Sequence, residues 1–175
     1  MISTFRRAPL RIHHPGASPI LVDLVSRMDQ LVFAAAPIGS RITCDPAPQD
    51  TDEDWLLLIA APAKDDASAL VNENAHDVLR AAGFTQDGQP DFYTGKDEGE
   101  FRSWRLGELN VVTTPSGEFY ERFMTATHLA KRFNLLDKSD RIALFQVILY
   151  GVSVENLKER ERSTVIDLLL GASMP

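Results

Sequence analysis

Residues 38–59 read Ile38-Gly39-Ser40-Arg41-Ile42-Thr43-Cys44-Asp45-Pro46-Ala47-Pro48-Gln49-Asp50-Thr51-Asp52-Glu53-Asp54-Trp55-Leu56-Leu57-Leu58-Ile59. The run Trp55 to Ile59 is short, wholly apolar and bounded by polar, proline-rich sequence, which predicts a buried strand. If Asp52 and Asp54 enter that strand extended, the period of two puts both carboxylates on one face and Glu53 on the other. Two carboxylates aimed at one point at the mouth of a sheet suit Mg²⁺ or Mn²⁺, hard cations that prefer oxygen ligands. Upstream, Gly39-Ser40 offers backbone N–H groups and a hydroxyl where a phosphate can approach closely. A D-x-D beside a strand and a Gly-Ser turn are each common as plain loop chemistry. Their order here, with a buried strand directly after, is what joins them.

Outward from this stretch the chain alternates helix and strand. Ser18 to about Phe33 reads as a helix, with Ser18 as N-cap, Pro19 at the first helical position and an apolar stripe of Ile20, Leu21, Leu24, Val25, Met28, Leu31 and Val32. A first strand is expected somewhere in 31–38, although Ala34-Ala35-Ala36 favours helix and Pro37 restricts a strand to a short or edge role. Arg41 to Thr51 reads as a loop or a broken helix. Asp66 or Ser68 caps a further helix running through Ala82, with Leu70, Val71, Val78 and Leu79 inward and Gly83 at its end. Asp87 to Gly99 looks like a connection. Glu100–Arg105 and Glu108–Thr114 then flank a tight turn at Leu106-Gly107.

The C-terminal part reads as helical. Ser116 caps a helix to Phe133 with Phe119, Phe123, Ala126, Thr127 and Ala130 on one side. A second begins at Ser139-Asp140, presents Ile142, Phe145, Val147, Ile148 and Leu149, and closes at Gly151; a charged helix from Ser153 follows. The expected fold class is α+β, a small mixed sheet with a helical region, divided as an α/β core over 1–115 and helices over 116–175 packed on it.

Composition bounds the rest. With 175 residues, 44% hydrophobic and 25% charged, the chain is long enough to bury a core and ordinary for a globular domain. No apolar run nears the roughly 20 residues of a membrane span, and no apolar region of the secretory kind follows Met1-Ile2-Ser3-Thr4-Phe5-Arg6-Arg7. The single Cys44 excludes an internal disulfide and fits a cytoplasmic setting; nothing local pairs it with a base. A net charge of −7 argues against wholesale coating of nucleic acid, though not against a local basic groove. His13-His14 and His128 show no metal-ligand spacing.

The pairing of Gly39-Ser40 with Asp52-Glu53-Asp54 resembles the signature of the nucleotidyltransferase superfamily. Phe101 to Val112 looks like the strand pair preceding that superfamily's third metal ligand, and Phe119–Leu136 with Asp137–Gly151 looks like the helical region of small nucleotidyltransferase-like proteins of bacteriophages. The resemblance implies a DNA polymerase β-like palm and metal-dependent transfer of a nucleoside monophosphate from an NTP to an acceptor: a small molecule, a protein or a nucleic acid end. Asp52 and Asp54 would be the metal ligands, and Gly39 and Ser40 the phosphate grip. In the third-carboxylate slot stands Asn110, which is neutral and cannot act as a general base; Glu108, two residues earlier, is the candidate replacement. Lys131, Lys138 and Arg141 are candidates to reach a triphosphate, and Arg102 and Arg105, beside Trp104, to contact a nucleotide. The alternative is a nucleotidyltransferase-fold protein that has lost its chemistry and works by binding, for example a phage-encoded inhibitor or regulator with a protein partner in the bacterial host cytoplasm.

Overall fold

Five strands form one mixed sheet in the order β1-β2-β5-β4-β3, where β1 is Val32–Ile38, β2 Glu53–Ile59, β3 Thr85–Gln86, β4 Arg102–Leu106 and β5 Leu109–Thr114. The computed structural model describes residues 10–12, 14–49, 51–60, 74–86 and 101–151. The β1–β2, β5–β4 and β4–β3 pairs are antiparallel, whereas the central β2–β5 pair is parallel. Helices α1 (Pro19–Met28), α2 (Ser40–Thr43), α3 (Ala75–Ala81), α4 (Gly117–Arg132) and α5 (Lys138–Tyr150) complete the described chain. The result is the α+β class expected. Among the described residues no helix is long and apolar enough to cross a membrane.

Alternation along the strands sorts side chains into two cores. Trp55, Leu57 and Ile59 of β2 join Trp104, Leu109 and Val111 on the face covered by α1 and α3. Leu56 and Val112 point the other way, into the core made with α4 and α5. Fully burying one such side chain is worth about 1.5–3 kcal/mol. In the second core the aromatic rings form a chain: Phe101 stacks on Phe119 at 5.3 Å between centroids, and Phe123 meets Phe145 edge-on at 5.0 Å.

Local sequence explains most of the boundaries. Ser18 Oγ accepts from Leu21 N, Pro19 opens α1, and Leu21, Leu24, Val25 and Met28 are its buried stripe. This helix ends five residues before the expected Phe33; Asp29–Leu31 is a 3-10 turn and Val32 already belongs to β1. Ala34-Ala35-Ala36 lies in the strand despite its helix preference, because the pairing with Leu56, Leu57 and Leu58 outweighs a few tenths of a kcal/mol per residue of propensity. Pro37 is accommodated because β1 is an edge strand.

Asn74, not Asp66 or Ser68, caps the described helix α3, with Val78 and Leu79 inward as expected; residues 61–73, including Asp66, Ser68, Leu70 and Val71, lie outside the described residues. So do the connection 87–99 and the charged helix expected from Ser153. Ser116 caps α4 as expected and all five predicted inward residues are buried. Asp137 rather than Ser139 caps α5, accepting from Ser139 N at 2.8 Å.

Helix α3 is pinned to the sheet by a polar contact. His76 Nε2 lies 3.3 Å from Thr113 Oγ1, which also accepts from the Trp104 indole at 3.2 Å. Burial, then the charges of Arg102 and Arg80, lower the His76 pKa from 6.5 to about 4 against a smaller opposing effect of Asp77. The imidazole is therefore neutral at pH 7.

Candidate functional site

The candidate site lies where β1, β2 and β5 come side by side on the face of the sheet shared with α4 and α5. The register aligns Ile38 with Asp54 and Asp54 with Asn110. Asp52 and Asp54 share this face, as the period of two requires. Asn110 shows it directly: its Nδ2 donates to Asp52 Oδ2 at 3.1 Å and to Asp54 Oδ1 at 2.9 Å. One amide nitrogen thus reaches both carboxylates, so the two aspartates converge on a common point. Glu53 goes to the opposite face, where its Oε1 accepts from Ser18 N at 3.0 Å and from Trp55 Nε1 at 2.8 Å. Its carboxylate steadies the start of α1 and is absent from the pair.

Gly39 fits against Asp54. It has φ +75°, a region side chains with a Cβ rarely enter, and a Cβ placed on it would come within 2.8 Å of Asp54 Cγ and 2.9 Å of Asp54 Cβ. The missing side chain makes room for an aspartate on the neighbouring strand. The Gly39 carbonyl then starts α2, accepting from Ile42 N, Thr43 N and Thr43 Oγ1 at 3.1 Å each. Ser40 is the first residue of that short helix and is half-buried. Arg41 turns back to the run-in of β2: its Nε donates to Thr51 Oγ1 at 3.2 Å, and its Nη2 to the Thr51 carbonyl. This clamp fixes the residue immediately before Asp52.

A fourth strand contributes Arg105. It sits opposite Asn110 in the β4–β5 register, and its Nη2 lies 3.1 Å from Asp52 Oδ2. Arg102 is three residues away on the same strand and therefore faces the α3 side, where it acts on His76. Arg102 and Arg105, both candidates to contact a nucleotide, therefore lie on opposite faces of the sheet. Trp104 is 1% exposed and belongs to the core.

Glu108 lies outside the strand in which it was expected. The hairpin turns at Gly107-Glu108, with Leu106 opposite Leu109, one residue later than the predicted turn at Leu106-Gly107. Gly107, at φ +58°, fills the first turn position. Glu108 is an exposed turn residue whose carbonyl accepts from Glu53 N at 2.8 Å, so strand alternation does not carry its side chain to the acid pair. Lys131, in the last turn of α4, and Lys138, the first residue of α5, are exposed. Arg141 is turned inward: 6% exposed, it donates to the carbonyls of Leu135 and Leu136 at 2.7 Å each and to Cys44 Sγ at 3.2 Å. It holds the turn between α4 and α5 and does not reach outward.

Among the described residues no group of three or more His, Cys, Asp or Glu side chains is arranged to hold a metal ion. The acid pair with Asn110 is a set of two carboxylates and one amide. Compared with known proteins, the chain matches no family model, no curated protein and no solved structure.

Proposed function

We propose that this chain is a nucleotidyltransferase-like protein that binds a nucleoside triphosphate through one divalent cation, Mg²⁺ or Mn²⁺, held by Asp52 and Asp54. The observation that carries the reading is the alignment of Ile38, Asp54 and Asn110 across three adjacent strands, with Gly39 packed against Asp54 and Asp52 brought to the same point. The chain order supports it: a strand, Gly-Ser, a short helix, an antiparallel strand led by D-x-D, then a parallel strand with a polar residue level with Asp54. Asn110 stands where the resemblance calls for a third carboxylate.

The donor set fits a single hard cation. Both carboxylates already turn toward one donor, and a half-turn of the Asn110 amide exchanges that donor for its carbonyl oxygen, giving an all-oxygen set. When bound, such a cation offsets the negative charge of a triphosphate. Gly39 keeps the approach open beside Asp54, and the Ser40 hydroxyl supplies one hydrogen bond to a phosphate oxygen.

Between the two forms of this reading, binding without transfer is favoured by Asn110. An amide cannot take the proton of an attacking hydroxyl, and here it donates to both carboxylates instead. In this form the protein acts by holding a nucleotide, as a regulator or inhibitor would. The second form, transfer of a nucleoside monophosphate to an acceptor, needs another base.

Calorimetric titration with each NTP in the presence and absence of Mg²⁺ tests the reading. The wild type binds at least one NTP in a Mg²⁺-dependent manner, and Asp52→Asn with Asp54→Asn abolishes that binding while the far-UV circular dichroism is retained. Equal affinity in the double variant would remove the assignment. Release of pyrophosphate by the wild type would favour the transferring form.

A further inference from the structure

Asp52 carries a guanidinium as well as the Asn110 amide. Asp52 Oδ2 takes Arg105 Nη2 at 3.1 Å and Asn110 Nδ2 at 3.1 Å, so two donors meet on one oxygen. Arg105 is set at this level by the hairpin register, opposite Asn110, which in turn is opposite Asp54. The ion pair is open to solvent, with side chains 47% and 39% exposed, and pairs of that kind are weak enough to exchange readily. A guanidinium presents the same fork of N–H donors to a carboxylate and to a phosphate.

We propose that Arg105 is a positioning residue with two stations, a deduction resting on the reading of Asp52 and Asp54 as a cation-holding pair. In the cation-free protein it neutralises Asp52. A divalent cation arriving at Asp52 competes for the same oxygen and repels the guanidinium, which leaves and takes a phosphate oxygen of the incoming nucleotide. Charge supports the exchange. Arg105 offsets the charge of Asp52 in the cation-free protein; a divalent cation at Asp52 takes over that role and leaves the guanidinium's positive charge for a polyanion. Cation and triphosphate thus bind in a favoured order, and Arg105 opposes the first step while aiding the second.

The opposed signs give the test. Mn²⁺ alone is titrated by water-proton relaxation, and inorganic triphosphate is then titrated at saturating Mn²⁺, using wild type, Arg105→Ala, Arg105→Lys and Asp52→Asn. Arg105→Ala binds Mn²⁺ about two- to fivefold tighter, the equivalent of an exposed ion pair removed. It binds triphosphate about tenfold weaker, the loss of one charge-assisted hydrogen bond. Arg105→Lys lies between it and the wild type in both titrations. If Mn²⁺ affinity is unchanged or weaker in Arg105→Ala, or its triphosphate affinity is unchanged, the two-station role is overturned while the cation reading stands. If the wild type shows no Mn²⁺ binding that Asp52→Asn removes, the cation reading itself falls and takes this role with it.

Discussion

Replacing Gly39 by alanine puts a single methyl where Asp54 leaves no room for one. Two costs add. Holding a non-glycine residue at φ +75°, ψ −174°, a region essentially reserved for glycine, costs about 1–3 kcal/mol. The new Cβ also falls 2.8 Å from Asp54 Cγ and 2.9 Å from Asp54 Cβ, so the carboxylate and its strand must shift, an overpacking of about 1–3 kcal/mol. The lower entropy of the unfolded alanine chain returns about 0.4–1 kcal/mol. Gly39→Ala is therefore expected to destabilise by about 1–5 kcal/mol, read as a lower midpoint in urea denaturation with an unchanged slope. A cycle separates the two costs. In an Asp54→Ala background Cγ is gone, and the Gly39→Ala penalty should shrink by about 1 kcal/mol or more, leaving the backbone share and the residual Cβ contact. A penalty below about 1 kcal/mol in the wild-type background, or a cycle with no coupling, would refute the account of Gly39 as space made for Asp54.

Two further expectations follow from the polar contacts. Asn110→Asp exchanges an amide that donates to both carboxylates for a third negative charge, so without divalent ions it should lose about 2–4 kcal/mol, and Mg²⁺ should return most of the loss; equal melting temperatures of wild type and variant in EDTA would contradict this. His76, with its pKa lowered to about 4, resists a proton that the unfolded chain accepts near 6.5. Its contribution is present above about pH 6.5 and is lost as the pH falls from there toward 4. Solvent screening at this half-buried ring limits the effect to about 1–2 kcal/mol. Denaturation midpoints between pH 7 and 4 should fall less steeply for His76→Gln than for the wild type, and parallel profiles would argue against it.

The candidate site was legible where alternation governs and was obscured where one residue of register matters. Asp52 and Asp54 sharing a face, and Glu53 leaving it, follow from the period of two, and the structure has both. The inward residues of α4 were readable from their spacing. A turn displaced by one residue moved Glu108 out of the strand and set Arg105 opposite Asn110. Once the turn is put at Gly107-Glu108, parity alone separates Arg102 from Arg105. Arg141 could not be read as internal, because the carbonyls of Leu135 and Leu136 and the distant Cys44 thiol that it contacts give no local signal in the sequence. Ala34-Ala35-Ala36 misleads locally because its strand state depends on Leu56–Leu58, some twenty positions away.

The parallel pairing of β2 with β5 ties this small cluster to a slow event in folding. Asp54 and Asn110 are separated by 56 positions, and no hairpin can bring parallel neighbours together. The chain between them must close a long loop first, an entropic cost met only when the central ladder forms. No fragment lacking either strand contains the cluster. A molecule gripping both residues would therefore favour the joined sheet over every partly folded alternative, and its concentration would set how much of the chain is native. For a protein of this size, occupancy and foldedness would then be two readings of one equilibrium.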